Sequence, residues 1–296
     1  MTSELFTVTI DSGADGAKIA ILTLDQPGRP VVVIDQDLLY KLDATLDSLP
    51  ADIDGFILAS AAERAFVAGA DLNAIMALND EDLNTYLEYG AKVFQKIADL
   101  PCPTAAAIHS VTLGGGLELA MHCDGLIGLI NPDARPFIIG LPEAGLKICP
   151  GWGGTNLLPA RIDPETAIVA TANGIPFKST DALELGMFDA HCTSSDDLID
   201  TAKNWIESQS NMNRTGHPSR CIQTTNTDTL AKALVDAKDE LDSSLHVDAV
   251  LDAIVIGISA GWNSALKSER EHLVNLRHSE PAQEAINAFF SKTTKK

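Results

Sequence analysis

The chain has 296 residues, of which 45% are hydrophobic, 21% charged and 5% aromatic. Lys and Arg number 21 against 41 Asp and Glu, so the net charge of −20 repels nucleic-acid backbones and anionic membrane surfaces. At roughly 150 residues per domain, the length predicts about two domains or one large domain with an appendage. We therefore expect neither a nucleic-acid nor a membrane partner.

The first hundred residues alternate between predicted strands and helices. Residues 5–10 and 17–24 are alternating or apolar runs on either side of a turn-rich SGADG cluster, which predicts a β-hairpin. A helical stripe of leucines over residues 36–49 precedes a short buried strand at 54–60. A further helix is predicted over residues 81–98, because it ends just before two prolines.

The rest of the chain changes from mixed elements to helices. Buried strands are predicted at residues 104–108, 126–130 and 137–139, with a helix after the glycine run that follows the first of them. Beyond about residue 155 helices dominate, most clearly over residues 196–208 and 229–290. This order predicts an α/β core followed by a helical C-terminal region.

The cysteines and the N-terminus indicate the cellular compartment. The five cysteines are widely spaced and show no CxxC or His/Cys ligand pattern, so we expect buried thiols, no disulfide framework and no metal site. The opening MTSELFTVTIDSG contains early acids and lacks the basic and apolar parts of a targeting signal. The longest apolar stretch, residues 250–262, is too short to span a bilayer. These features predict a cytoplasmic protein.

The most informative segment is IHSVTLGGGLELAMHCD, where a predicted strand runs through Gly114, Gly115 and Gly116 into a helix. Three consecutive glycines are costly in chain entropy. Either a ligand must reach the backbone there, or the helix and strand must pack closely. A helix N-terminus offers unpaired amides to a phosphate or a developing oxyanion. No GxGxxG or GxxxxGK[ST] pattern occurs, which disfavours dinucleotide and P-loop sites.

Two acidic residues near this segment are candidate catalytic groups. Glu118 lies three positions after Gly115, so helical spacing places it on the same face as that amide. An acid in a first helical turn also stabilises the helix dipole, so a purely structural role stays open. Glu143 lies in GLPEAGLKICPGWGGT, a Gly- and Pro-rich loop after a predicted strand. A third segment, RAFVAGADLNAI at residues 64–75, is predicted as a strand-to-loop transition.

Taken together and in chain order, AFVAGADLNAI, IHSVTLGGGLELAMHCD and GLPEAGLKICPGWGGTNLLPARI resemble the enoyl-CoA hydratase/isomerase (crotonase) family. The resemblance covers about residues 5–205 and implies an α/β crotonase (ClpP-like) spiral of ββα units with a helical C-terminal region. The tail, from GWNSALKSEREHLVNL onward, looks like the end of the hydratase half of multifunctional fatty-acid oxidation α-subunits. We therefore expect a stand-alone relative or that half alone.

The resemblance assigns roles position by position. It implies an oxyanion hole made by the backbone amides of Ala70 and Gly115, which would hold the thioester oxygen of an acyl-CoA. Glu118 and Glu143 match the two acids of hydratases: Glu118 deprotonates the water added at C3, and Glu143 donates a proton to C2. The other positions implied to contact substrate or its CoA part are Ala68, Gly69, Asp71, Leu72, Gly114, Gly116, Pro142, Gly151 and Trp152. No metal and no separate cofactor is implied, because coenzyme A enters as part of the substrate.

The implied reaction is hydration of trans-2-enoyl-CoA to 3-hydroxyacyl-CoA in fatty-acid β-oxidation. Two alternatives stay open: a Δ3-Δ2-enoyl-CoA isomerase or another thioester-enolate reaction, and a non-catalytic CoA-binding subunit. We expect an acyl-CoA-binding catalytic core over residues 1–208. Residues 209–296 would form a helical lid, an oligomerisation surface or a hinge to a missing partner domain. The implied assembly is a homo-oligomer, trimer or hexamer, or a complex with a dehydrogenase or thiolase partner.

Overall fold

Strands alternate with helices through the first two thirds of the computed structural model, which describes residues 5–13, 16–209 and 215–293. The strands are β1 (Thr7–Ser12), β2 (Lys18–Leu24), β3 (Gly55–Ser60), β4 (Ala65–Val67), β5 (Thr104–Ile108), β6 (Val111–Leu113), β7 (Gly125–Leu129), β8 (Ile138–Gly140), β9 (Phe177–Lys178) and β10 (Ala190–Cys192). The helices are α1 (Gln36–Asp47), α2 (Leu72–Ala77), α3 (Asp80–Ala98), α4 (Gly115–Met121), α5 (Gly154–Leu157), α6 (Pro164–Asn173), α7 (Ser179–Glu184), α8 (Leu198–Ser208), α9 (Thr227–Glu240), α10 (Leu245–Ala260), α11 (Trp262–Leu276) and α12 (Glu280–Thr293).

Two sheets organise the described part of the N-terminal half. The larger has the strand order β1-β2-β3-β5-β7-β10 and is parallel except for the β1–β2 pair, which confirms the predicted hairpin. The smaller sheet has the order β4-β6-β8-β9. Its first three strands each follow a strand of the larger sheet along the chain, and a helix or helical turn comes after each. This repetition is the predicted spiral of ββα units.

The larger sheet is covered on both faces, which explains why its central strands are continuous apolar runs. In β3, Phe56 and Leu58 pack towards α1 and α3, whereas Ile57 packs towards α8. All five residues of β5 are buried. The sequence therefore identified these strands correctly, but it missed β6, β9 and β10, which have only two or three residues each.

The C-terminal helices pack onto the segment that follows β8. One apolar cluster combines α9, α10 and α12 with α6 and with Ile148 and Cys149. This cluster joins residues from both sides of position 208, and the division into two domains there stays a prediction. Part of the polar stretch that suggested it, residues 210–214, lies outside the described residues.

Two predictions about the whole chain can be compared with the described residues. All five cysteines are buried, as expected. None of the described helices has the length and apolar character needed to cross a membrane.

The helix predicted over 81–98 begins one residue earlier, at Asp80, because the side chain of Asn79 accepts a hydrogen bond from the Asp82 amide and caps the first turn.

Candidate active site

A cavity of about 590 Å³ lies between the loops that leave the smaller sheet and the C-terminal helices. Its walls are largely apolar and come mainly from the β4–α2 loop, the start of α4, the segment after β8, and helices α11 and α12, with further contacts from Val33, Leu87 of α3 and Gly174. The predicted site residues that line it are Ala68, Gly69, Ala70, Asp71, Leu72, Gly114, Gly115, Glu118, Pro142, Glu143, Gly151 and Trp152. Gly116 is the one predicted site residue that does not line this cavity.

The β4–α2 loop presents the backbone of Ala70. The Ile34 amide donates to the Gly69 carbonyl at 2.8 Å, and the Asp71 amide donates to the Ile34 carbonyl at 2.9 Å. This parallel bridge uses the groups on both sides of Ala70 and directs the amide of Ala70 away from Ile34. Gly69 adopts φ 112°, and a Cβ there would lie 3.1 Å from the carbonyl oxygen of Leu113. The loop therefore lies directly against the end of β6.

Each glycine of the run before α4 meets a different neighbour. Gly114 has φ 53°, and a Cβ there would overlap the Glu143 carboxylate. A Cβ on Gly115 would lie 2.5 Å from the Trp152 ring, and one on Gly116 would overlap the Val67 carbonyl. Close packing of helix and strand accounts for Gly116, which allows α4 to pack on β4. Gly114 and Gly115 lie in the cavity lining, where their backbone is open to a ligand, and the expected contact of Gly116 with substrate stays a prediction.

Glu118 is held rigidly in the first turn of α4. Its side chain is only 1% exposed, and its Oε1 accepts hydrogen bonds from the amides of Trp152 and Gly154, both at 2.8 Å. Burial, with a further contribution from the charge of Glu143, raises the pKa of Glu118 well above its ordinary value. The two amides lower that pKa but do not offset the burial.

Glu143 lies in a single 3₁₀ turn directly after β8. Its Oε2 is buried and has no hydrogen-bond partner among the described residues. Burial raises the pKa of Glu143 to about 8, so the carboxyl holds a proton at neutral pH. Glu118 and Glu143 therefore line one cavity in different settings: Oε1 of Glu118 is held by two amides, whereas Oε2 of Glu143 has no partner among the described residues.

A third buried carboxylate, Glu269 of α11, escaped the sequence analysis. Its oxygens accept hydrogen bonds from the amides of Gly153 and Thr155, at 2.5 and 2.8 Å, and from the Thr155 hydroxyl. Burial raises the pKa of Glu269 to about 7. A signal for it does exist in the sequence, because Glu269 occupies a position in the apolar stripe of α11 between Leu266 and Leu273.

The C-terminal helices also supply apolar wall residues that no motif indicated. Leu273 of α11 and Phe289 and Phe290 of α12 line the cavity. Within the described parts of the chain, no three His, Cys, Asp or Glu side chains converge closely enough to hold a metal ion. His122, one turn after Glu118, stays outside the cavity lining and packs between Phe94 and the C-terminal helices. Burial lowers its pKa to about 4 and keeps it neutral.

Comparison with known proteins decides the family. The family model described as enoyl-CoA hydratase/isomerase matches residues 14–249. The chain belongs to this family. Solved structures of other members share its fold: an enoyl-CoA hydratase from Bacillus halodurans has a TM-score of 0.65 at 20% identity, covering 95% of this chain and 99% of that one. An enoyl-CoA hydratase from Bacillus anthracis has a TM-score of 0.61 at 24% identity, covering 98% and 97%.

Curated members of the enoyl-CoA hydratase/isomerase family that match the chain are longer. The fatty acid oxidation complex subunit alpha of Vibrio cholerae serotype O1 is 30% identical over 300 residues, which cover 95% of this chain and 41% of the relative. The corresponding subunit of Shewanella halifaxensis is 29% identical, with 94% and 40% covered. The chain thus spans about two fifths of the length of these relatives, in agreement with the resemblance of its tail to α-subunits.

Proposed function

We propose that the chain is an enoyl-CoA hydratase, which adds water across the 2,3 double bond of a trans-2-enoyl-CoA to give a 3-hydroxyacyl-CoA. The observation that carries this proposal is the pair of buried carboxyls, Glu118 and Glu143, in the lining of one largely apolar cavity. Hydration needs one group that takes a proton from water and another that gives a proton to carbon. An isomerase needs only one such group.

The hydrogen bonds divide these roles between the two carboxyls. Burial raises the pKa of both carboxyls, but the part of the rise at Glu118 that comes from the charge of Glu143 is absent while Glu143 holds its proton, and the two amides at Oε1 favour ionised Glu118. We therefore assign Glu118 as the base, whose Oε2 accepts a proton from the attacking water. Glu143, whose pKa of about 8 keeps it protonated at neutral pH, donates its proton to C2. The hydroxyl adds to C3, so the product gains one water, and the proton gained by Glu118 must return to Glu143 before the next turnover.

The negative charge that develops on the thioester oxygen needs donors of its own. In this proposal the amides of Ala70 and Gly115, both in the cavity lining, form the oxyanion hole. Preorganised donors of this kind contribute roughly 3–4 kcal/mol each to transition-state stabilisation. The bridge at Ile34, which directs the Ala70 amide away from the strand, supports this assignment. Coenzyme A enters with the substrate, and no other cofactor has a role in these steps.

The test is a spectrophotometric hydration assay. The ultraviolet absorbance of crotonyl-CoA, and of a longer trans-2-enoyl-CoA, falls as the double bond is hydrated. We expect turnover by the wild-type chain and losses of about 10²–10⁴-fold in Glu118→Gln and in Glu143→Gln. A matched control is Glu271→Gln, which removes an exposed carboxylate from α11 and should leave turnover unchanged.

Two results would contradict the proposal. The first is that the wild-type chain isomerises 3-enoyl-CoA faster than it hydrates 2-enoyl-CoA, and that Glu118→Gln abolishes only the hydration. Glu143 alone would then carry the main reaction, and the chain would be an isomerase. If acyl-CoA binds without turnover at either chain length, the chain is a non-catalytic subunit. The names of its relatives further support the proposal that it acts on fatty acyl thioesters, as part of an oxidation complex or as a homo-oligomer.

A further inference from the structure

Residues 152–155, called the 152–155 turn below, are held from two sides by carboxylates. The first and third amides of the turn donate to Oε1 of Glu118, both at 2.8 Å. The second and fourth donate to Glu269, at 2.5 and 2.8 Å. Four consecutive amides therefore alternate between one carboxylate that lines the cavity and one that does not. Any shift of the turn would disturb both sets of hydrogen bonds.

Glu269 is fully buried at this turn. Its side chain is 0% exposed, and a charged side chain is rarely buried unless other groups pair with it. Its partners are two amides and the hydroxyl of Thr155, all on the turn. Glu269 does not line the cavity, whereas Leu273, one helical turn later, does. It can therefore influence the reaction only through the turn and through its charge.

The charge of Glu269 acts on both candidate catalytic residues. It raises the pKa of Glu118 and the pKa of Glu143, in each case after the larger effect of burial. The titratable groups around it are mainly acids or neutral: Glu118, Glu143, the Cys149 thiol, Tyr86 of α3, Asp252 of α10, and the neutral His122 just after α4. The basic groups of the same elements are each held by another side chain: Lys92 by Glu88, Arg270 by Asn84 and His272 by Asp252. The nearest charges thus favour retention of protons.

We propose that Glu269 is a positioning residue for the reaction: through the amides of Gly153 and Thr155 it fixes the turn that holds Oε1 of Glu118, and its negative charge opposes ionisation of Glu118 and Glu143. The proposal rests on the hydratase function proposed above. Glu269 itself contacts no substrate atom. Through the 152–155 turn it fixes the position of Oε1 of Glu118, and its charge favours the protonated form of Glu143.

Two substitutions act on these contacts to different extents. Glu269→Gln keeps the size of the side chain but removes the charge, and its NH2 group cannot accept from the amide of Gly153 or Thr155 that one oxygen of Glu269 now serves. Thr155→Val removes only the hydroxyl donor and leaves the charge and both amide contacts. In Glu269→Gln we expect kcat to fall roughly 10- to 100-fold while KM changes less than about threefold, because orientation rather than binding is lost. The alkaline limb of the kcat/KM profile should move to lower pH, because Glu143 loses its proton more easily without the neighbouring charge.

Two control variants distinguish the proposed positioning role of Glu269 from a role in stability alone. Thr155→Val should lower kcat a few-fold, roughly the effect of one lost hydrogen bond, without moving the alkaline limb. Glu271→Gln, on the exposed face of the same helix, should change neither kcat nor the limb. If kcat of Glu269→Gln falls only in proportion to the loss of folded protein, with the limb in its wild-type position, Glu269 is structural and the proposal is wrong.

A second measurement does not require turnover. The ¹³C shifts of glutamate carboxyls, assigned with Glu118→Gln and Glu143→Gln, report protonation directly between about pH 5 and 9. Both carboxyls should titrate at lower pH in Glu269→Gln than in the wild-type chain. Unchanged titration overturns the inference even if the enzyme is a hydratase. Wild-type protein that hydrates no enoyl-CoA overturns the proposed function, and the carboxyl titration then still tests the effect of Glu269.

Discussion

The part of the chain up to α8 and the C-terminal helices contribute different kinds of groups to the same cavity. The first part brings backbone: the β4–α2 loop, the glycines before α4 and the amides of the 152–155 turn, with Glu118 and Glu143 beside them. The C-terminal helices bring side chains only, from α11 and α12. Backbone positions are fixed by sheet hydrogen bonds, whereas helix side chains depend on packing. The groups of the proposed reaction thus belong to the first part, and the second contributes apolar wall from Leu273, Phe289 and Phe290 and the buried carboxylate of Glu269.

The two regions are also joined at the end of α2, through Arg277. The buried guanidinium of Arg277, at the end of α11, donates to the carbonyl of Leu78 at 2.8 Å and to that of Ile75, and it pairs with Asp80. These carbonyls belong to the end of α2, whose first turn follows Ala70. Arg277 of the C-terminal region therefore caps the end of α2, the helix that follows the loop of Ala70.

The largest expected effect comes from the backbone side, at Gly114. A Cβ in Gly114→Ala would overlap the Glu143 carboxylate, and displacement of a catalytic group by about 1 Å can cost about 100-fold in rate. We expect hydration of crotonyl-CoA to fall by that amount or more. Gly186→Ala is the matched control, since Gly186 also has positive φ, at 77°, but no atom within 4 Å of the added Cβ. Equal activities in the two variants would show that Glu143 tolerates displacement.

A smaller effect, on stability more than on rate, is expected at the joint. Arg277→Lys replaces a planar fork with a single ammonium, which cannot reach both carbonyls and Asp80 at once. The free energy of unfolding should fall by about 2 kcal/mol, measured by urea denaturation. Arg135→Lys, at an exposed position, should change it by less than about 0.5 kcal/mol. If Arg277→Lys unfolds at the wild-type midpoint, the two regions are not coupled through this guanidinium.

The smallest effect concerns chain-length preference. Phe290 lines the cavity and is half-buried, so Phe290→Ala should lengthen the apolar space without touching Glu118 or Glu143. The ratio of kcat/KM for a ten-carbon over a four-carbon trans-2-enoyl-CoA should rise about tenfold, in line with the value of added methylenes in apolar pockets. Val235→Ala, exposed on α9 and outside the lining, should leave the ratio unchanged. An unchanged ratio in Phe290→Ala would remove α12 from the acyl-binding surface.

The sequence predicted best those elements that leave a local pattern along the chain. The hairpin, the buried strands β3, β5 and β7 and helices α1, α3 and α8 were predicted within a few residues, because each leaves an apolar run or stripe along the chain. All but one of the predicted site residues meet in one cavity. Gly116 lies outside that lining, and its contact with substrate stays a prediction, because a glycine required for packing looks identical in sequence to one required for ligand access.

By itself the sequence determined the family, the ββα order and the positions of Glu118 and Glu143, because these depend on spacing over a few residues or on contiguous motifs. Tertiary structure alone decided that Glu269 would reach the amide of Gly153, across 116 residues, and that α12 would close the cavity. Nothing local records such contacts, because they arise when separate elements bury their apolar faces together. The same packing removes water from all three carboxyls and so raises the pKa of each.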